Sequence, residues 1–389
     1  MGNKLSCHCE TDKKTIFESH GRKVFRIPAL FHERESETFL AFAEQRKTLD
    51  DASAEKLVMR TGTLKKTLSD VRTIKWSGIT TVDKAHLHGY RPMNPCPLYE
   101  KTSKTLFLFF ICVKGNTTEQ WQINNFVNRT RLCFIKSENL GKSWSDVTDL
   151  TDALDEIKSW ATFGVGPGHG LQTESGRLIV PTYAYCHSPK SKKTAPYALG
   201  LYSDDYGKKW SFGKMLENES LECEMAEFFD ETDNSVIYCN ARKASGYREE
   251  AVCKGGSKDF SKLSRAQKLV ETGRGCQGSV VSFPAQREDV HANSDPSQEP
   301  NKWLLFTHPS DKASRINLAV YVNKSPGDPN TWSKPWIINR GPSGYSDLAY
   351  IGEGWFACLM ECGQQKETEK IAFRVFSYSE VKKGIKKKK

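Results

Sequence analysis

One eight-residue phrase occurs twice in the chain, as Ser137-Glu-Asn-Leu-Gly-Lys-Ser-Trp144 and as Ser203-Asp-Asp-Tyr-Gly-Lys-Lys-Trp210, with starts 66 residues apart. The shared form is S-x-[D/N]-x-G-x-x-W, and its chemistry is that of a turn. An Asx side chain bonds backbone amides further along, Gly permits a positive φ, and Trp packs beneath the turn. Two worn copies follow: Ser325-Pro-Gly-Asp-Pro-Asn-Thr-Trp332 keeps the Ser-to-Trp distance, and Gly255-Gly-Ser-Lys-Asp-Phe260 keeps a Gly-Asp-aromatic pattern. A period this long points to a solenoid, an array or a propeller.

The segments between the phrases decide among these. Lys104–Val113, Thr130–Ile135, Arg177–Tyr183, Val236–Cys239 and Trp303–Thr307 are strand-length runs rich in aromatic and β-branched residues. The one short helix candidate is Asp152–Lys158. Units of roughly 65 residues, each a four-stranded sheet with generous loops, divide the chain into about six, which predicts an all-β, six-bladed β-propeller with Asx turns at its rim. The alternative is a large β-sandwich with similar turns.

The 389 residues are 38% hydrophobic and 11% aromatic, enough for one closed propeller without a second domain. The expected organisation is an N-terminal segment 1–14, a propeller over 15–378 and a lysine-rich tail over 379–389. Cys186–Thr194 and Gln286–Lys302 read as polar surface loops. Net charge is +10, but the last eight residues hold six lysines, so the body carries only +4; with no accompanying motif, nucleic acid is not an expected partner. The start, Met-Gly-Asn-Lys, lacks an apolar leader, so the twelve cysteines are expected to be reduced thiols and the four N-x-S/T sequons to be incidental. Cys112, Cys133, Cys239 and Cys358 stand within apolar runs as small hydrophobes. No apolar run spans a bilayer, so the expected location is cytoplasmic, with peripheral membrane association through the chain ends. Gly2 fits an N-myristoylation pattern with Cys7 and Cys9 beside it, and the Lys382–Lys389 run supplies a second, electrostatic contact for an anionic membrane surface.

Three arginines lie in or beside apolar segments, where an unpaired guanidinium is costly to desolvate: Arg26 in Val-Phe-Arg-Ile-Pro, Arg242 after Tyr-Cys-Asn-Ala, and Arg315 before Ile-Asn-Leu-Ala-Val. Phe-Arg-Ile-Pro followed by repeated Asp-box phrases resembles the sialidases (exo-α-sialidases, neuraminidases). Further phrases resemble the animal cytosolic and plasma-membrane branch, most closely its ganglioside-preferring type: Phe42-Ala-Glu-Gln-Arg46, Met93-Asn-Pro-Cys-Pro97, Thr162–Gly170, Leu221–Glu227, Cys276–Phe283 and Gly344-Tyr-Ser-Asp-Leu348. The resemblance runs from about Thr15 to about Tyr378.

What it implies agrees with substrate chemistry. A sialic acid carries a carboxylate on its anomeric carbon, so an arginine clamp of Arg26, Arg242 and Arg315 is expected, with Glu361 holding Arg26. The same carboxylate repels an anionic nucleophile, and sialidases are the tyrosine-nucleophile exception among glycosidases. Tyr345 matches that tyrosine and Glu222 the glutamate that takes its proton. The acid/base is an aspartate shortly after Arg46; family spacing selects Asp51, while Asp50 stands beside it and Ala52 replaces the usual acidic residue. Arg46, Met93, Glu119, Tyr183, Tyr185 and Gln277 match substrate contacts, the two tyrosines being aimed alike by strand alternation.

The implied activity is that of a retaining exo-α-sialidase acting on sialylated glycolipids, glycoproteins or oligosaccharides, with no cofactor and no metal. A sialic-acid-binding lectin-like propeller and a trans-sialidase are the alternatives. Gly164–Gly170 looks like a phosphate loop but lacks its Lys-Ser/Thr ending, and His86-Leu-His88 and Cys7-His-Cys9 lack a second zinc-spaced cluster.

Overall fold

The computed structural model describes residues 13–66, 72–188, 193–263, 268–286 and 302–386. Gly2, Cys7, Cys9, Lys387–Lys389 and most of the 286–302 loop lie outside them. The fold is all-β, and its sheets are antiparallel and propeller-like in arrangement.

Four sheets are blade-sized. The first is built from Val24–Glu33, Thr38–Arg46, Ala54–Lys66 and Arg72–Trp76, the second from Tyr90–Glu100, Thr105–Lys114, Thr130–Ser137 and Thr148–Asp149. The third comprises Thr162–Val165, Leu178–His187, Thr194–Ser203 and Ser211–Phe212; the fourth comprises Cys223–Phe229, Ser235–Ala241, Glu249–Lys254 and Ser261–Lys262. Two-residue strands at Thr80 and Leu171 join the first and third.

The remaining strands differ from the expected six separate blades, because they form one seven-stranded sheet, giving five hydrogen-bonded sheets among the described residues. The cause is the 17-residue strand Trp336–Gly352. Its first part pairs with Ile316–Asn323 and its second with Trp355–Cys362, so two four-strand groups share one ladder. The strand Lys14–Glu18 closes this sheet by pairing with Lys370–Ser377, which brings the two ends of the fold together.

Buried apolar clusters fill the spaces between successive sheets: Phe42 and Leu57 against Phe110 and Ile135, Phe109 against Phe163 and Leu199, Ile179 and Tyr202 against Met225 and Cys239, Tyr238 against Phe306 and Trp332. A further cluster joins the two halves of the long sheet, and another joins its end to the first sheet. Each turn phrase acts across one of these seams. In the first copy, Ser137 Oγ accepts from Gly141 N at 2.8 Å and Asn139 Oδ1 from Ser143 N at 2.9 Å. In the second, Ser203 Oγ accepts from Gly207 N at 2.9 Å and Asp205 Oδ1 from Lys209 N at 2.8 Å. Gly141 and Gly207 have φ of 79° and 84°, the left-handed region the phrase requires. Trp144 then packs on Phe42, Trp210 on Phe107 and Phe109, and Trp332 of the worn copy on Tyr238, in each case an aromatic of the preceding sheet, with Phe306 of its own sheet also against Trp332.

The named cysteines are buried in strands and free. Asp152–Lys158 is not one helix: Leu154 is extended between the 3-10 turns Thr151–Ala153 and Asp155–Ser159. Two helices were not anticipated, Glu119–Asn125 and Tyr378–Lys386; the second docks Tyr378 and Val381 on the long sheet, so the lysine-rich segment begins as packed structure. No helix of the described residues is long and apolar enough to cross a membrane.

The innermost strands meet around buried polar groups. Asp347 accepts from Leu30 N at 2.6 Å and from Ser279 Oγ at 3.0 Å, and pairs with His169 Nδ1 at 2.6 Å. Glu224 accepts from Ser279 Oγ, Val280 N and Gln277 Nε2, and lies 3.6 Å from the same imidazole. These three side chains form a cluster of metal-ligand type, but the imidazole already fills the cation's place. Burial lowers the basicity of His169, yet Asp347 and Glu224 more than offset it and push its pKa up to about 9. Burial pushes Glu224 up, against the pull of His169.

His169→Gln removes the cation and is expected to cost about 3–5 kcal/mol near pH 6. A group raised from its usual 6.5 to about 9 contributes stability fully present below 6.5 and lost as pH rises through 9. The gap between parent and variant in urea unfolding therefore narrows from pH 6 to pH 9; a constant gap refutes the charged-imidazole assignment.

Candidate active site

Tyr345 is the point on which the predicted residues converge. It lies in the strand Trp336–Gly352, two residues before Asp347, so strand alternation aims both inward. Its hydroxyl donates to Glu222 Oε1 and accepts from Arg242 Nη1 at 2.9 Å. Arg242 Nη1 also donates to Glu222 Oε2 at 2.7 Å, closing a three-membered network among residues far apart in sequence. The Tyr345 and Glu222 side chains are buried, at 6% and 7% exposure. Burial, followed by repulsion from Glu222, raises the phenol well above its ordinary pKa against the pull of Arg242 and Arg315. The resting group is therefore a neutral phenol whose proton points at a carboxylate.

The other two arginines flank the same ring, with guanidinium carbons 5.6 Å (Arg26) and 5.4 Å (Arg315) from its centroid. Glu361, fully buried, is the strut between Arg26 and the backbone. Its Oε1 accepts from Arg26 Nε at 2.6 Å and Ile27 N at 2.9 Å, and its Oε2 from Tyr345 N at 3.1 Å. Burial opposes charge on Arg26, but Glu361 outweighs it and holds the guanidinium firmly protonated; Glu222 does the same for Arg242. Arg315 donates to the Gly275 carbonyl at 2.8 Å and Arg242 to the Arg274 carbonyl at 3.1 Å. Gly275 suits that position: its φ is 85°, and a Cβ would lie 2.1 Å from the Lys243 carbonyl. Among the described residues Arg315 has no ion-pair partner, so a ligand carboxylate would find an uncompensated cation there.

Asp50 and Asp51 separate cleanly. Asp50 caps the short 3-10 turn Asp51–Ser53, accepting from Ala52 N at 2.9 Å, and faces solvent. Asp51 Oδ1 accepts from Arg46, and its side chain is 66% exposed. Arg46 is 1% exposed and is anchored by Glu44 at 2.8 Å. Glu44 in turn accepts from Asn94 N at 2.7 Å, where φ is 56°. Asp51 lies close enough to act electrostatically on both Arg26 and Glu119.

Glu119 opens the helix Glu119–Asn125. Its surface is open to water, but surrounding protein strips much of its solvation, and Glu222 and Asp51 add repulsion; together they push its carboxyl up to about 7. Tyr183 and Tyr185 lie edge to face at 6.3 Å on one side of their strand. Met93 is buried beside this region, in the strand Tyr90–Glu100. Gln277 sits deeper than a wall residue: at 1% exposure, its amide donates to Pro167 O and Glu224 and accepts from Ser346 N, supporting the Tyr345 strand from behind. Sequence reading did not single out His169, Asp347 or Arg91; the charged residue inside Gly-rich or Pro-rich phrases was the available signal.

A family model described as a BNR repeat-like domain matches residues 38–358. Sialidase-3 of Rattus norvegicus is 42% identical over 404 residues, covering 95% of this chain and 95% of that protein. Sialidase-2 of Cricetulus griseus is 41% identical, covering 94% of this chain and 95% of that protein. Among solved structures, a Hadza microbial sialidase superposes with a TM-score of 0.72 at 18% identity, covering 92% of this chain, which spans 66% of that one. The intramolecular trans-sialidase from Ruminococcus gnavus gives a TM-score of 0.69 at 16% identity, covering 98% and 100%. At those identities the structural matches speak for the fold alone.

Glu119 is expected to titrate near 7 in the unliganded protein. Glu222→Gln removes an acidic neighbour and lowers that midpoint, as followed by carbon-13 NMR of labelled glutamate; an unchanged midpoint would mean that burial alone sets it.

Proposed function

Because the chain belongs to the sialidase family, the exo-α-sialidases or neuraminidases, we propose that it releases terminal sialic acids from glycoconjugates by a retaining, tyrosine-based mechanism. The observation that carries this reading is the closed network of Tyr345, Glu222 and Arg242, flanked by Arg26 and Arg315.

The sugar carboxylate is bound by Arg26, Arg242 and Arg315, permanently charged donors that deliver planar, bidentate recognition. That binding sets the anomeric carbon near Tyr345. Glu222 takes the phenol proton as the oxygen forms its bond to the anomeric carbon. Asp51 gives its proton to the departing glycosidic oxygen, so the aglycone leaves as a neutral alcohol. In the second half, Asp51 accepts a proton from water, which attacks the same carbon and releases Tyr345, whose phenolate recovers its proton from Glu222. Two inversions give net retention. A neutral phenol suits a substrate that already bears a negative charge at the reacting centre, and the arginines stabilise charge that appears on the phenolic oxygen in the transition state. Arg46 orients Asp51, while Glu119, Tyr183, Tyr185 and Met93 line the sugar site, with Gln277 supporting it from beneath.

The seven-stranded sheet is read as two blades sharing the strand Trp336–Gly352, which makes a six-bladed propeller; the buried cluster between its two halves supports that reading. The substrate range is read as sialylated glycolipids, including gangliosides, glycoproteins and oligosaccharides. Attachment to a membrane surface is read from Gly2, Cys7, Cys9 and the C-terminal lysines, around the propeller spanning 15–378.

Purified protein is expected to release the fluorophore from a fluorogenic sialoside between pH 4 and 7, with α-sialic acid appearing first by proton NMR. Tyr345→Phe is expected to lower turnover of that sialoside, and Asp51→Ala turnover of sialyllactose, by about 10²–10⁴-fold; initial β-product, or full activity in Tyr345→Phe, rules the mechanism out. Gly2→Ala, or neutralising the C-terminal lysines, is expected to move the protein from the membrane to the soluble fraction, and unchanged partitioning rules out attachment through the ends.

A further inference from the structure

Arg91 lies in the strand Tyr90–Glu100, is 7% exposed, and spends its guanidinium on the main chain of two other segments. Its Nε donates to the Asp51 carbonyl at 3.3 Å, its Nη1 to the Gly115 carbonyl and its Nη2 to the Thr117 carbonyl. The first acceptor belongs to the residue assigned as acid/base. The other two belong to the loop that leads into the helix bearing Glu119, and Thr117 immediately precedes the helix cap, where Thr118 Oγ accepts from Trp121 N at 3.0 Å. The far end of that helix is fixed separately: Gln122 Oε1 accepts from Arg129 N at 2.6 Å, and Phe126 stacks on His187 at 3.8 Å.

The Asp51 carboxylate is held by Arg46 but is otherwise open to solvent, and the short turn that carries it is capped from within by exposed Asp50. Its main chain is tied within the first sheet, Leu49 O accepting from Arg46 and Asp51 O from Ala54 N, and Arg91 adds a tie to the second sheet. The same planar group holds the loop that leads to Glu119. We propose that Arg91 is a positioning residue for the acid/base step: by clamping the Asp51 and Gly115–Thr117 carbonyls together, it sets the distance from the Asp51 carboxyl to the glycosidic oxygen. This rests on the reading of Asp51 as the acid/base. Lysine cannot reproduce the clamp, since one ammonium nitrogen does not reach three carbonyls that a rigid fork spans.

A misplaced acid leaves a signature that a merely loosened fold does not. A sialoside with a sugar leaving group needs its oxygen protonated, whereas an aryl sialoside expels a weakly basic phenolate with little help. Kinetics of the full chain on sialyllactose and on 4-nitrophenyl sialoside are compared for the parent, R91K, R91Q and D51A, with thermal unfolding measured in parallel. R91K and R91Q are expected to lose about 10–100-fold in kcat on sialyllactose and under about threefold on the aryl sialoside, with KM within about threefold because the arginine clamp is untouched. Equal losses on both substrates, full activity in R91K, or failure of both variants to fold overturns the proposal. D51A separates the two levels of the argument: if D51A lacks the leaving-group bias, the assignment of Asp51 is wrong, whereas bias in D51A but not in R91K or R91Q removes Arg91 alone.

Discussion

The buried carboxylate of Asp347 is the constraint from which the site takes its geometry. It binds the Leu30 amide of the first sheet, His169 in the loop after Thr162–Val165, and Ser279 of the long sheet, and so ties two inner strands and that loop to its own strand. A carboxylate withdrawn from water is tolerated only when nearly all its acceptor sites are filled and a cation stands beside it. Those conditions fix where the strands cross. Tyr345 is two residues upstream on the same strand face, and Glu361 and Gln277 lock the intervening backbone through Tyr345 N and Ser346 N. The tyrosine is thus set by rigid strands, which keeps its hydroxyl within reach of Glu222 without help from a loop.

The same logic governs the positive charge. Four arginines close to one another repel, and each is affordable only with a counter-charge or a row of carbonyls. Arg26 has Glu361, Arg242 has Glu222, and Arg46 has Glu44 with Asp51. Arg315 has only a carbonyl among the described residues. The four arginines are matched in number by four carboxylates, but none of these pairs with Arg315, so that guanidinium is the one left open to a bound carboxylate. Because Glu222 serves both Arg242 and Tyr345, its protonation in the proposed mechanism would weaken its hold on Arg242 and free that arginine to follow the developing charge.

How much of this was legible in the sequence depends on the range of each interaction. The Ser-to-Trp phrases carry their turn within eight residues, so both the turn and its glycine were readable. The arginines were readable because a charge beside apolar strand residues needs an explanation, and the family resemblance joined them to Tyr345 and Glu222. Asp50 and Asp51 are told apart in sequence only by the family spacing from Arg46, and the cap bond of Asp50 and the Arg46 bond of Asp51 give them different surroundings. His169 and Arg91 stayed silent because their partners lie about 180 and 40 residues away, on segments whose meeting is a property of the closed fold. Gly341-Pro342 looks like a break between strands, yet the strand continues through it and changes partner, which is why one sheet stands where two were expected. Asp152–Lys158 has helical composition, but Leu154 turns its side chain into the second and third sheets' shared core, and burying it there outweighs one turn of helix.

The turn phrases and the catalytic residues occupy opposite ends of the same design problem. A Trp at 144, 210 or 332 staples its sheet to the one before, so its demand is repeated at each seam and met by any aromatic neighbour of suitable size. Asn139 does the work of Asp there, since backbone amides accept either oxygen as partner. Around Tyr345 nothing repeats: Arg26, Tyr345 and Glu361 come from three different strands, and Glu222, Arg242 and Arg315 each stand one residue outside a strand end. Repetition builds a scaffold stiff enough to hold unlike groups at fixed separations, and the unlike groups alone carry chemistry. A change at one rim turn therefore spreads its cost over a seam buried by many side chains, whereas the loss of one axial carboxylate strands a specific cation that no neighbour is placed to satisfy.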